Sequence, residues 1–377
     1  MTDSPELAAL KRQLFEASFP LWSTVGVDAT NGGFFERLTP DGTVIDDPRR
    51  ARLVGRQIYS FAMAERLGWR GPGRAMVQHG LSYLLGHMVQ DDRIVPLTDA
   101  SGKALSSTFD LYDQAFVLFG LAAAASIGEQ VDTLTKTARR IRDHMLRGWK
   151  HPEAGFEESI PRSLPLKANP HMHMLEASLA WAEIDSDAGW NLLADEIVEL
   201  ALKSFLSRET GALHEFFDGD WNMLHDPASD VVEPGHQSEW AWLLIRWGLS
   251  RNRPDAIEAA RRLISVAEDH GVSDLKMAIN ELNPDLSTRD RRHRLWPQTE
   301  RIKAFVALGW VETTSQGQNN ADAKVAEAAR GLLQFFEHPV RGAWWEHLDP
   351  EGAPATEPSR ASSLYHITCA VTEMARR

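Results

Sequence analysis

The chain has 377 residues, 43% of them hydrophobic, enough to bury a substantial core in one large domain or two average ones. Its net charge of −13 is spread along the chain with no basic stripe, which argues against a nucleic-acid partner. The single cysteine, Cys369, excludes an internal disulfide and a cysteine-based metal cluster, and it fits a reducing compartment. The N-terminal MTDSPELAALKRQLFEASF lacks the apolar core of a signal peptide, and no apolar run reaches membrane-spanning length. The expected setting is therefore cytoplasmic, with no membrane partner.

In chain order, twelve helices are predicted, over 5–22, 49–67, 73–89, 109–127, 130–147, 170–184, 187–205, 235–250, 253–270, 296–310, 321–337 and 361–376. Odd and even members differ. The fifth has Val131, Leu134, Ala138, Ile141 and Met145 on one stripe, and the ninth has Ile257, Ala260, Ile264 and Ala267 with Arg261 and Arg262 outside. That spacing belongs to a helix with one wet face. The fourth, DLYDQAFVLFGLAAAAS, is apolar nearly all round, so the even helices read as an inner ring inside an outer one.

Segments following the odd helices pair a short aromatic or apolar run with a Pro/Asp/Gly-rich turn, a hairpin signal: 32–42, 93–102, 155–165, 211–221 and 342–352. The stretch 271–294 departs from this pattern, being longer and charged, and could hold a short helix. Just inside six of the helices stand polar residues able to do chemistry: Arg56, Tyr112, His173, His236, Trp296 and His366, at successive steps of 56, 61, 63, 60 and 70 residues. A period of about sixty residues fits two helices and a hairpin. Six such units closing into a ring make a single-domain (α/α)6 barrel over 1–377, all-α apart from the hairpins, with these residues at one end of one cavity. The 13 Trp against 4 Tyr suit core packing or sugar-ring platforms.

The segments NPHMHMLEA, GHQSEWAWLL, RLWPQTERIKA and SSLYH, in this order and spacing, resemble the N-acylglucosamine 2-epimerase superfamily. The resemblance runs from about Trp22 to the C-terminus, and GH-x-x-EW with SSLYH is most similar to the D-mannose isomerase branch. It implies proton abstraction beside a sugar carbonyl. The pyranose opens, a base takes the C2 proton and an enediolate forms. Proton return to C1 gives a ketose, and return to C2 from the other face gives the epimer. Histidine suits the base, and a cation or donor must face the developing oxyanion. The route requires no cofactor and no metal. A small-molecule sugar is the implied partner, and a homodimer is the family expectation.

By the resemblance, His366 is the base. His236 is the second acid–base group, with Glu239 three residues on to orient it. His173 assists. Asn169, His173 and Glu176 share one side of the sixth helix, where Asn169 caps the helix or touches sugar hydroxyls; His171, offset by two, is structural. Arg56 is the candidate enediolate stabiliser, because its guanidinium stays charged and offers forked donors. Arg52, one turn back, reads as surface. Tyr112, beside Gln114, is a hydroxyl contact and Trp296 a ring platform. Glu300 bonds a hydroxyl or pairs with Arg301 or Arg56.

Alternatives stay open on the sequence. A 2-epimerase acting on N-acetylglucosamine, mannose/glucose or cellobiose shares the chemistry, and the Trp344–Trp345 hairpin could line a disaccharide cleft. The cluster 291–294 could receive a sugar phosphate. A glycoside hydrolase needs two carboxylates, which Asp113, Glu176, Glu239 and Glu300 could supply. A metal site is disfavoured because His171 and His173 splay apart on a helix. A non-catalytic protein-binding role, noted in one mammalian branch, fits poorly with the presence of His173, His236, His366 and Arg56 together.

Overall fold

The computed structural model describes residues 3–225 and 230–376. Its twelve helices are α1 (5–22), α2 (Ala51–Leu67), α3 (73–88), α4 (Leu111–Ser126), α5 (Val131–Gly148), α6 (Ala168–Ala182), α7 (188–205), α8 (Pro234–Arg251), α9 (Pro254–His270), α10 (Leu295–Val311), α11 (Ser315–Gln334) and α12 (Ser363–Ala375). Local chemistry sets many of the starts. Ser4, Asp110, Asp187 and Thr314 accept hydrogen bonds from the first-turn amides of α1, α4, α7 and α11. Proline opens α1, α8 and α9, where a missing N–H costs nothing. The Thr314 cap starts α11 six residues before the expected Ala321. Within α1 the backbone widens to a π turn over Leu14–Ser18, just ahead of Pro20, which has no N–H to offer.

The even helices form the inner ring. Each packs on the next, α2 on α4, α4 on α6, and so to α12, which returns to α2 and closes the barrel. The odd helices pack outside, so the fold is the expected (α/α)6 barrel. Inner helices α4, α8 and α12 are buried on nearly every face, while α5 buries one stripe. The α2–α4 crossing is the tightest. A Cβ on Gly55 would stand 2.1 Å from the Phe116 carbonyl oxygen, and one on Gly120 would stand 2.7 Å from the Gly55 Cα. Only glycine permits that approach.

Short strands tie neighbouring units together at one end of the barrel. Residues 49–50 pair with 97–98, 166–167 with 216–217, and 293–294 with 347–348, while 359–360 pair with 37–38 and join the last unit to the first. Each of these strands runs directly into an inner helix, so the pairing fixes the first turns of α2, α6, α10 and α12. The stretch 271–294 holds no helix. It is a hairpin of Glu281–Leu282 with Thr288–Asp290, covering a small apolar cluster of Val232, Val266, Ile279 and Leu282. Trp344 and Trp345 are buried, their indole N–H groups donating to Glu346 and to the Glu337 carbonyl, so they pack the wall and line no sugar cleft. Among the described residues, no helix is long and apolar enough to cross a membrane.

Gly55→Ala should destabilise the fold by about 1–3 kcal/mol through overpacking. Gly148→Ala, whose Cβ meets open space, should leave stability equal or slightly higher. Urea unfolding midpoints of the two variants against wild type check this; equal losses in both would rule out the close helix contact as the cause.

Candidate active site

The strand ties bring the first turns of the inner helices to one mouth of the barrel, around a cavity of about 930 Å³. Arg56, Tyr112, Asn169, His173, His236, Glu239, Trp296 and His366 all line it, one or more from every inner helix. Trp296 stands between the two lower-wall histidines, its ring 4.9 Å from His236 and 5.8 Å from His366 between centroids. Arg56 lies against the rings of Phe116, Tyr112 and Tyr365, donates to the Tyr112 hydroxyl at 2.6 Å, and keeps a buried Nε without a partner. No carboxylate neutralises it among the described residues.

Glu176 and Glu300, expected to touch sugar hydroxyls, do not line the cavity. A step of three or four residues from His173 and Trp296 carries them one turn deeper, behind the histidines, where both are fully buried. Glu300 Oε1 and His366 Nδ1 share a hydrogen bond at 2.8 Å. Glu176 lies 3.3 Å from His173 Nδ1 and accepts a hydrogen bond from the Tyr365 hydroxyl at 2.6 Å. Glu300 pairs with neither Arg301 nor Arg56. Arg301 turns outward to Glu268 and Glu327, while Lys303 reaches Glu300 instead.

Glu239 is not the partner of His236. Its Oε1 is 3.4 Å from Lys303 Nζ, and the His236 Nδ1 is held at 2.8 Å by Glu215, with Glu233 at 3.8 Å. Glu215 comes from the hairpin preceding α8, so no helical spacing could have pointed to it. Asn169 is the second residue of α6, past its N-cap Lys167, and caps nothing; its buried Oδ1 faces no described partner. Arg52 is half-buried rather than surface and bridges Asp113 at the cavity rim. Gln114 and His171 are buried off the cavity, the latter bonded between the Lys167 carbonyl and the Phe156 amide. Of the 291–294 cluster, Arg292 pairs with Asp290 and His293 is buried, leaving Arg294 on the cavity wall.

The electrostatics split the histidines. Burial works against a charge on His236, but Glu215 and Glu233 outweigh it and raise its pKa to about 10. Burial lowers the pKa of His173 to about 3, and burial with the Arg56 and Lys303 cations drives His366 well below 6.5. At neutral pH the pocket therefore holds one imidazolium and two neutral imidazoles. Such separation of pKa values is how a site divides acid from base. Two sets of side chains could present ligand atoms to a metal, His173 with Glu176 and Glu239, and Glu239 with Glu300 and His366. The Lys303 ammonium, in contact with Glu300 and near Glu239, already supplies a positive charge to the second set.

The family model described as N-acylglucosamine 2-epimerase matches residues 33–370. A protein of Rhizobium meliloti named mannose-6-phosphate isomerase is 39% identical, over 96% of this chain and 94% of its own. Solved structures of a D-mannose isomerase (21% identical, TM-score 0.86, all of both chains) and of a cellobiose 2-epimerase from Bacillus thermoamylovorans (17% identical, TM-score 0.88, 98% of this chain and 99% of that one) share the fold.

The ring of His236 should hold its second proton until about pH 10 in a nitrogen-15 NMR titration. Glu215→Gln, which removes the nearest charge, should bring that titration down by several pH units. An imidazole already neutral at pH 7 in wild type would contradict the charge assignment.

Proposed function

This chain belongs to the N-acylglucosamine 2-epimerase family, and on that footing we propose that it interconverts D-mannose and D-fructose through a cis-enediolate, without a metal. The observation that carries the reading is the opposed pair flanking Trp296, a neutral His366 and a charged His236. His366 Nε2 takes the C2 proton of the open-chain sugar and returns it to C1. A second proton passes from O2 to O1, so no atom is gained or lost. As the pyranose opens, the His236 imidazolium gives a proton to the ring oxygen and the O1 hydroxyl gives one up, which restores the imidazolium as the C1 carbonyl forms. Arg56, which has no carboxylate partner among the described residues, faces the enediolate oxygens, where a charge fixed in advance stabilises the developing oxyanion. Tyr112 and Asn169 hold hydroxyls, and His173 assists as a neutral donor or acceptor.

A glycoside hydrolase fits this site less well. It needs two carboxylates across a scissile bond, yet Glu176 and Glu300 lie behind histidines and Glu239 faces Lys303. A disaccharide epimerase is also less suited, since among the described residues Phe109, Tyr112 and Trp296 are the only Phe, Tyr or Trp rings on a lining rich in charged groups. A second reading is isomerisation of mannose 6-phosphate, the substrate in the name of the Rhizobium relative. The observation favouring it is that Arg294 and Arg360 line the cavity with no carboxylate at ion-pair distance among the described residues, as a phosphate would require.

The protein incubated with D-mannose in D2O and excess EDTA, followed by proton NMR, should give fructose carrying deuterium at C1. Glucose labelled at C2 without fructose would make it an epimerase, and His366→Ala should lower turnover by at least about 10²-fold. Run in parallel with mannose 6-phosphate, the second reading predicts the higher kcat/KM for the phosphate and its loss, through KM, in Arg294→Ala and Arg360→Ala. Equal KM values in wild type and both variants would remove it.

A further inference from the structure

Beneath the cavity, the barrel axis holds one lysine among three glutamates. Lys303, on α10, has no solvent exposure. Its Nζ touches Glu300 Oε2, lies 3.4 Å from Glu239 Oε1 on α8, and sits 4.0 Å above the Trp242 ring. Tyr365 on α12 is 5.9 Å away and donates to Glu176 on α6, which completes the ring of acids around the ammonium. Lys303 does not line the cavity, so it cannot touch a sugar.

What it can do follows from the other end of Glu300. One carboxylate oxygen meets the ammonium, while the other meets His366 Nδ1 at 2.8 Å and the Thr299 hydroxyl at 3.0 Å. The hydrogen atom between Glu300 and His366 can sit on either side. If Glu300 is a carboxylate, the proton is on Nδ1 and Nε2 carries a free lone pair toward the cavity. If Glu300 is a neutral acid that donates to Nδ1, then Nε2 carries the hydrogen and cannot act as a base.

We propose that Lys303 is a positioning residue for the isomerisation: its ammonium holds Glu300 as a carboxylate, which locks His366 in the Nδ1–H form and leaves Nε2 free to take the sugar proton. The inference rests on the proposed role of His366. Burial and the Glu239 charge push the Glu300 pKa well above the usual carboxylate range, and the Lys303 ammonium in contact with Oε2 is the first group that opposes them. Burial works against the charge on Lys303, but Cys369 on α12 together with Glu300, Glu239 and Glu176 outweighs it and holds the pKa well above the usual lysine value. A buried ammonium beside only neutral acids would be an uncompensated charge, and Glu300 is the acid in direct contact. The cations facing His366 from elsewhere, Arg56 on α2 and Arg294 ahead of α10, oppose a proton on its ring without choosing between the two nitrogens.

The test reads the tautomer directly and needs no substrate. Long-range nitrogen-15 NMR of the wild-type protein near pH 7 should show His366 as the Nδ1–H form. The Nε2–H form in wild type would overturn the proposal whether or not the enzyme isomerises mannose, and whether or not any variant folds. In Lys303→Met, provided circular dichroism matches wild type, His366 should convert to the Nε2–H form. With whichever sugar the enzyme turns over, kcat should then fall about 10²-fold while KM stays within about threefold. An unchanged tautomer in folded Lys303→Met would also overturn it. Loss of turnover in wild type with the Nδ1–H tautomer present would count against the sugar reading and leave the lysine's role standing.

Discussion

Charges placed on the barrel axis have no water to answer them, and the rest of the site follows from that constraint. A buried charge there is costly unless another group of the ring answers it. Glu300 is shared by Lys303 and His366, Glu176 by Tyr365 and His173, and Glu215 takes His236. The partnering decides the chemistry. His236, with both Glu215 and Glu233 near it, becomes an acid, while burial and the Arg56 and Lys303 cations keep His366 neutral although Glu300 stands behind it. Two residues of one kind, on the inner helices either side of α10, thus acquire opposite roles from what surrounds them.

The fold serves this by placing equivalent first turns at one end. An inner helix buried on every face cannot present a polar stripe along its length, so its polar residues collect where it begins. The short strands ahead of α2, α6, α10 and α12 anchor those beginnings to the hairpins of neighbouring units. The first unit is tied to the last through 37–38 and 359–360, which lets Arg56 near the start of the chain share a cavity with His366 near its end. Between α2 and α4 the glycines Gly55 and Gly120 let the backbones meet, and the Arg56 guanidinium lies against the Phe116 face beside that crossing.

Much of the site was legible because it repeats. His173, His236, Trp296 and His366 stand at equivalent positions of a sixty-residue period, and a closed ring turns equal positions into neighbours. The misreadings share a cause. Glu239 was matched to His236, and Glu300 to Arg301, on helical spacing alone. Spacing says which residues share a face of one helix, not which residues of the next helix that face meets. Glu215 lies in a hairpin that carries no helical period, and no spacing singles out Lys303.

The linear chain by itself determined the helix pairs, their inner and outer order and the set of polar residues at the helix starts, since hydrophobic period and turn chemistry are local properties. Only the tertiary structure decided which carboxylate backs which histidine, that Glu176 and Glu300 stand behind the cavity wall rather than on it, and that one ammonium lies buried among three acids. The contacts of Glu215 with His236, Glu300 with His366 and Glu176 with Tyr365 join residues 21, 66 and 189 positions apart, and no local period encodes them.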